Sequence, residues 1–142
     1  NKCDAWPNSG EIDIMEHVGY DMNRVHGTVH TKAYYWVIGK QRQGTIEADN
    51  VDQRFHVYSL VWSPTRIDIL YDNQPNFTYL NPNEGWEGWP FDHPFHVILN
   101  IAMGGGWGGA GGPTDDSILP ARMLVDYVRL YQLPEYQTKP AN

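Results

Sequence analysis

An apolar alternation with a period of two constrains this chain more than any other feature. Residues 25–31 set Val25, Gly27 and Val29 against His26, Thr28 and His30. Runs at 55–62, 66–71, 76–80, 95–103 and 123–133 carry the same kind of pattern. A strand turns successive side chains to opposite faces, so each run predicts a β-strand. No stretch sustains a helical period. Asp72-Asn73-Gln74-Pro75 reads as the turn of a hairpin between the third and fourth runs. Two long loops stand out. One, at 81–94, carries Pro82, Trp86, Trp89 and Pro90; the other, GGGWGGAGG at 104–112, sets Trp107 among seven glycines. Short strands with such connections predict an all-β sandwich of antiparallel sheets. Residues 1–133 read as one portion of a sandwich domain, and 134–142 as a polar tail or the start of a linker. Sandwiches often reach roughly 200 residues, so 142 suggests a part of a larger one.

The charge narrows the partners. The net charge is −7 and no basic cluster occurs. Nucleic acid and anionic membrane surfaces are therefore poor partners, and a neutral ligand suits the chain better. No apolar run approaches the length of a membrane span. Cys3 is the single cysteine, so no internal disulfide can form.

The segment GEIDIMEHVG (10–19) breaks the alternation in an informative way. In a regular strand Glu11 and Asp13 share one face, while Glu16 falls on the other with Ile12 and Ile14. An unpaired carboxylate there costs several kcal/mol or stays neutral. A β-bulge resolves the conflict. If Ile14 and Met15 together fill one place in the ladder, Glu16 moves to the face of Glu11 and Asp13. Two carboxyls about 5 Å apart are what a retaining glycosidase uses, one as nucleophile and one as proton donor. A third acid between them can orient the nucleophile and hold the pair's protonation states apart. The bland alternative is a solvated strand that carries acids. Trp6-Pro7 and the aliphatic neighbours argue against it.

The segment WPNSGEIDIMEHVG (6–19) resembles the signature of glycoside hydrolase family 16, in its laminarinase-like branch of endo-β-1,3-glucanases. HGTVHT (26–31), FHVYSLVWSPTRIDILYDNQ (55–74), FHVILNIAMGGGWGG (95–109) and MLVDYVRLYQ (123–132) resemble successive strands of that family, in its order. The resemblance implies a β-jelly-roll with a substrate cleft on its concave sheet and hydrolysis with retention. It implies Glu11 as nucleophile, Asp13 as assisting acid and Glu16 as acid/base. No cofactor is needed for that chemistry. The family's domain has further strands before the Trp-Pro segment, so the active protein is expected to include that N-terminal half, in the same parent chain or in a second one. Agarases and carrageenases of the family can carry the same bulged motif, so the bulge alone does not name the polysaccharide.

Other candidates follow from the same comparison. Trp6 and Trp107 are the expected sugar platforms, because sugar rings present C–H faces that stack on aromatics, with core packing as the alternative for each. Trp86 and Trp89 either cap the cleft or anchor their loop. His30 is implied as a substrate or nucleophile contact, with a hydrogen-bonded core histidine as the alternative. His26 and His30 lack a third ligand at zinc-motif spacing. Asn100 either faces the cleft or satisfies backbone groups. Asp126 is implied as a ligand of a structural calcium, which takes six to eight oxygens; otherwise it is a surface acid paired with a cation such as Arg129. Asn76-Phe77-Thr78 is a glycosylation sequon. A polymeric glucan cannot enter cells intact, so a secreted enzyme is expected. A glucan-binding protein without catalysis, a mixed-linkage glucanase and a transglycosylase are the competing functions.

Overall fold

The computed structural model describes residues 5–136. Cys3 and residues 137–142 of the tail lie outside the described residues. Six strands form two three-stranded antiparallel sheets. The first joins β1 (Glu11–Glu16), β2 (Arg24–His30) and β3 (Arg42–Glu47) in that order. The second joins β4 (Tyr58–Ser63), β5 (Arg66–Tyr71) and β6 (Gln74–Leu80). The helical pieces are single turns, among them Gly105–Gly108 beneath Trp107. The all-β, two-sheet architecture is the one the alternation predicts.

The core lies between the sheets. Val29 of β2 packs with Ile67, Ile69, Tyr79, Trp89 and Phe91, and Ile12 and Ile14 of β1 lean on this group. A second cluster gathers Val25, Ala48 and Tyr71, with Met15 against it. Close approach of the sheets depends on two glycines that pair across β2 and β3, Gly27 and Gly44. A Cβ on Gly44 would stand 2.5 Å from the Asn76 carbonyl oxygen, and one on Gly27 2.9 Å from Ile69 Cγ2. The bare backbone makes room for an irregularity in β6. There Ile69 pairs with Phe77 and Leu70 with Pro75, which leaves Asn76 unopposed. Proline cannot donate to a ladder, and a bulge is where a strand tolerates it.

The structure corrects several expectations. The hairpin turn is shorter than predicted: Tyr71 already pairs with Gln74. Asp72 and Asn73 make the turn alone, with φ of 46° and 65°, values that Asn and Asp tolerate and that match strand twist. The sequon is closed, because both amide atoms of Asn76 are buried between the sheets. The predicted strands at 95–103 and 123–133 join no ladder among the described residues. Alternation supplies the side chains of a strand, but only a neighbour with free N–H and C=O groups makes one. Ile98 is 69% exposed and Leu130 85%. In contrast, β3 forms from RQGTIE, which alternation does not reveal, because of its core-side positions Gly44 has no side chain and only Ile46 is apolar, while its other face is polar.

Candidate active site

The bulge forms in β1. Glu11 pairs with His30, Asp13 with Thr28 and Glu16 with His26, so Ile14 and Met15 together oppose Gly27 alone. Both of these apolar side chains go to the core side, Ile14 to one cluster and Met15 to the other. The three acids consequently share a face with His26, Thr28 and His30 of β2. The backbone before β1 is equally constrained. Gly10 has φ of 76°, and a Cβ there would stand 2.7 Å from Pro90 Cγ.

Each acid has a distinct partner. Trp6 Nε1 donates to Glu11 Oε2 at 2.5 Å. Thr28 Oγ1 donates to Glu16 Oε2 at 2.9 Å. His30 Nε2 stands 3.5 Å from Asp13 Oδ2. That contact is not a charge pair, because burial lowers the pKa of His30 against the opposing pull of Glu11 and Glu16. Burial also lowers the pKa of His26. The Asp13 carboxyl is pushed up to about 8, first by burial, then by the charges of Glu11 and Glu16 and by a hydrogen bond to Glu11. Near neutral pH the Asp13 carboxyl therefore favours its protonated form, in which it can donate to Glu11. A middle acid in this state holds the Glu11 carboxylate in place without adding a second charge beside it.

This protonation has a consequence for stability. An unfolded aspartate titrates near 3.9. Between that value and about 8 the folded chain holds a proton that the unfolded chain releases. Stability therefore falls as pH rises through this window. Asparagine cannot ionise, yet it can still donate to Glu11. Asp13→Asn is expected to gain on the wild type between about pH 5 and pH 8, by up to a few kcal/mol. Melting temperatures across that range test it. A gap that does not change with pH would mean that Asp13 is ionised in the folded protein.

Aromatic rings flank the acid face. Trp6 makes edge contacts with His30 and Tyr35, at centroid distances of 6.0 Å and 5.5 Å. Trp107 meets the edge of His26 at 5.2 Å, with the rings perpendicular. Its glycine loop is fixed at the far end, where a Cβ on Gly111 would collide with Tyr20. Trp6 and Trp107 are 41% and 43% exposed, enough to meet a ligand. A surface depression of about 410 Å³, lined by Trp62, Pro64, Phe91 and His93 among others, includes none of the three acids.

Known proteins share this arrangement over most of the chain. Residues 2–129 match the model of Glycosyl hydrolases family 16. The chain belongs to glycoside hydrolase family 16. A β-glucanase of Rhodothermus marinus is 50% identical over 135 residues, a match that covers 92% of this chain and 47% of the relative. The keratan-sulfate endo-1,4-β-galactosidase of Sphingobacterium multivorum is 39% identical, covering 92% of this chain and 30% of the relative. The X-ray structure of the laminarinase from Rhodothermus marinus superposes with a TM-score of 0.79 at 44% identity, covering 84% of this chain and 51% of that one. The chain thus spans about half the length of these relatives, or less.

Within this family member, the other predicted residues have varied surroundings. Asn100 is exposed, in the segment outside any ladder. Trp89 is 7% exposed and stacks on Tyr79, so it anchors its loop from within the core. Trp86 is half-buried beside Asn81 and Asn83, in a depression that holds none of the acids. Asp126 is exposed and belongs to no group of three metal-ligating side chains among the described residues. Glu11, Asp13 and His30 do bring ligand atoms within 4.8 Å of one another, but these belong to the acid face already described. Thr28 as the partner of Glu16, and Tyr35 and Trp36 beside Trp6, were not singled out by the sequence. Thr28 was detectable through its shared alternation with His26 and His30.

Proposed function

We propose that this chain carries the catalytic face of a retaining endo-β-1,3-glucanase that acts on laminarin-like glucans. The bulge carries the reading, because it brings three acids to one face with a protonated Asp13 between the other two. Glu11 attacks the anomeric carbon. Glu16 gives a proton to the glycosidic oxygen as that C–O bond breaks, and a glycosyl ester forms on Glu11. Glu16 then takes a proton from water, whose oxygen attacks the same carbon and releases Glu11. Two inversions leave the product with the β configuration. The laminarinase of Rhodothermus marinus supports a β-1,3-glucan as substrate. The keratan-sulfate endo-1,4-β-galactosidase shows that a related chain can act on a sulfated polymer. A net charge of −7 makes such a polyanion the poorer choice here. Mixed-linkage hydrolysis and transfer of the glycosyl unit to a sugar use the same face. A glucan-binding role without catalysis would leave the three converging acids unexplained.

The apolar segments at 95–103 and 123–133 support a further part of this reading. Their side chains are suited to a sandwich interior, and the relatives are about twice as long or more. The strands that pair with these segments are proposed to come from the remaining half of the domain, in the same polypeptide or a second chain. A structural calcium at Asp126 would draw its other oxygens from backbone or from those strands. The size of the substrate places the enzyme outside the cell.

Reducing-sugar release from laminarin tests the activity, with lichenan, agarose and carrageenan in parallel. The assay is run on this chain and on a protein extended to the length of its relatives. Laminarin is expected to be cut best, and NMR of the first products should show the β anomer. A folded, extended protein that cuts none of these polymers, or that yields the α anomer, would overturn the assignment.

A further inference from the structure

The segment after β2 presents aromatic surface that the catalytic reading does not use. Tyr34, Tyr35 and Trp36 follow one another, and Tyr34 turns inward. Its hydroxyl donates to Glu84 Oε2 at 2.6 Å, and the Arg42 guanidinium lies 4.1 Å from its ring centre. The backbone around it is equally fixed. Thr31 N donates to Tyr34 O at 2.7 Å, and Ala33 N to Glu87 O at 2.8 Å. A tight turn, Trp36–Ile38, then closes at Gly39, whose N–H donates to the Trp36 carbonyl. Gly39 adopts φ of 66°, which a residue with a Cβ rarely takes.

On this anchored base Trp36 is 61% exposed. Its ring lies 6.4 Å from that of Trp6, tilted by 38°. Trp6 in turn makes the hydrogen bond to Glu11. Aromatic surface therefore runs without a break from Glu11 through Trp6 to Trp36, with Tyr35 filling the angle against Trp6. A ring held open to solvent by a rigid turn loses little entropy when it binds a ligand. The faces of pyranose rings match such surfaces, with apolar C–H groups against the aromatic plane.

We infer that Trp36 and Tyr35 form a sugar-binding platform beyond Trp6, which takes a further ring of a neutral β-glucan chain bound across the acids. This inference rests on the glycosidase reading for the identity of the ligand. It makes the enzyme selective for longer chains, since only these reach from the acids to Trp36.

The test uses the extended protein and laminari-oligosaccharides of increasing length. Trp36→Ala is expected to lower kcat/KM progressively with length, by about 3- to 10-fold for the longest, the fold-change of one aromatic contact. Trp36→Phe should restore most of it. Laminarin binding by the Glu11→Gln protein, read by affinity electrophoresis, should weaken by a similar factor when Trp36→Ala is added. An equal loss at every length with a lowered melting temperature would make Trp36 a packing residue and overturn the platform. No loss at any length would overturn it too. If the wild type cuts nothing but Trp36→Ala still weakens laminarin binding, the platform stands and the catalytic reading fails. If the Glu11→Gln protein binds no glucan, both fail.

Discussion

Glu11→Gln is expected to cut the turnover of laminarin by roughly 10⁴-fold or more, the scale on which removal of a covalent nucleophile acts. The fold should be unaffected. Glutamine keeps the length of the side chain and a carbonyl oxygen able to accept the hydrogen bond that Trp6 Nε1 now gives to Glu11 Oε2. It cannot form the glycosyl ester, because an amide oxygen is a poor nucleophile and carries no charge to donate. The variant also removes the charge that helps to keep Asp13 protonated. The pH dependence of stability should therefore weaken in the same variant. Loss of activity with a melting temperature that matches the wild type near pH 4, together with a flatter stability profile above it, would tie both effects to one carboxylate. Activity within about tenfold of the wild type would mean that another group attacks the sugar, and the roles along β1 would need reassignment.

The sequence revealed β1 and its bulge better than it revealed the sheets around them. A bulge leaves a local mark, since GEIDIME cannot satisfy a regular alternation without burying Glu16. Pairing of Glu16 with His26 is the structural form of that mark. Partnership across sheets leaves none. Gly27 and Gly44 matter because of what would collide with their absent side chains, and that depends on a bulge about thirty residues further along in β6. β3 escaped notice for the same reason. The segments at 95–103 and 123–133 failed in the opposite direction, with strong alternation but no neighbour to pair with among the described residues. Trp36 shows a third kind of blindness. Tryptophan is highly buried on average, and only the inward turn of Tyr34 and the tight turn that follows explain why Trp36 stays outside.

The roles proposed for Glu11 and Glu16 differ in a way that leaving-group chemistry separates. Glu16→Gln keeps an acceptor for Thr28 Oγ1, which would otherwise be a buried hydroxyl without a partner, at a cost of about 1–3 kcal/mol. It removes the proton that the departing sugar needs. Hydrolysis of laminarin is expected to fall by roughly 10²- to 10⁴-fold, the usual contribution of a positioned general acid. A laminari-oligosaccharide with a dinitrophenyl leaving group behaves differently, because that phenolate departs without a proton. Glu11 can still attack, so the variant should release one equivalent of phenolate in a burst and then slow at the ester. Azide needs no base. In Glu16→Ala, where the side chain no longer fills the face, azide should attack the anomeric carbon, free Glu11 and give a β-glycosyl azide. The Glu11→Gln variant has no ester to intercept and should show neither burst nor rescue. A burst in Glu11→Gln, or an azide product of the α configuration, would show that the two carboxylates have been assigned the wrong way round.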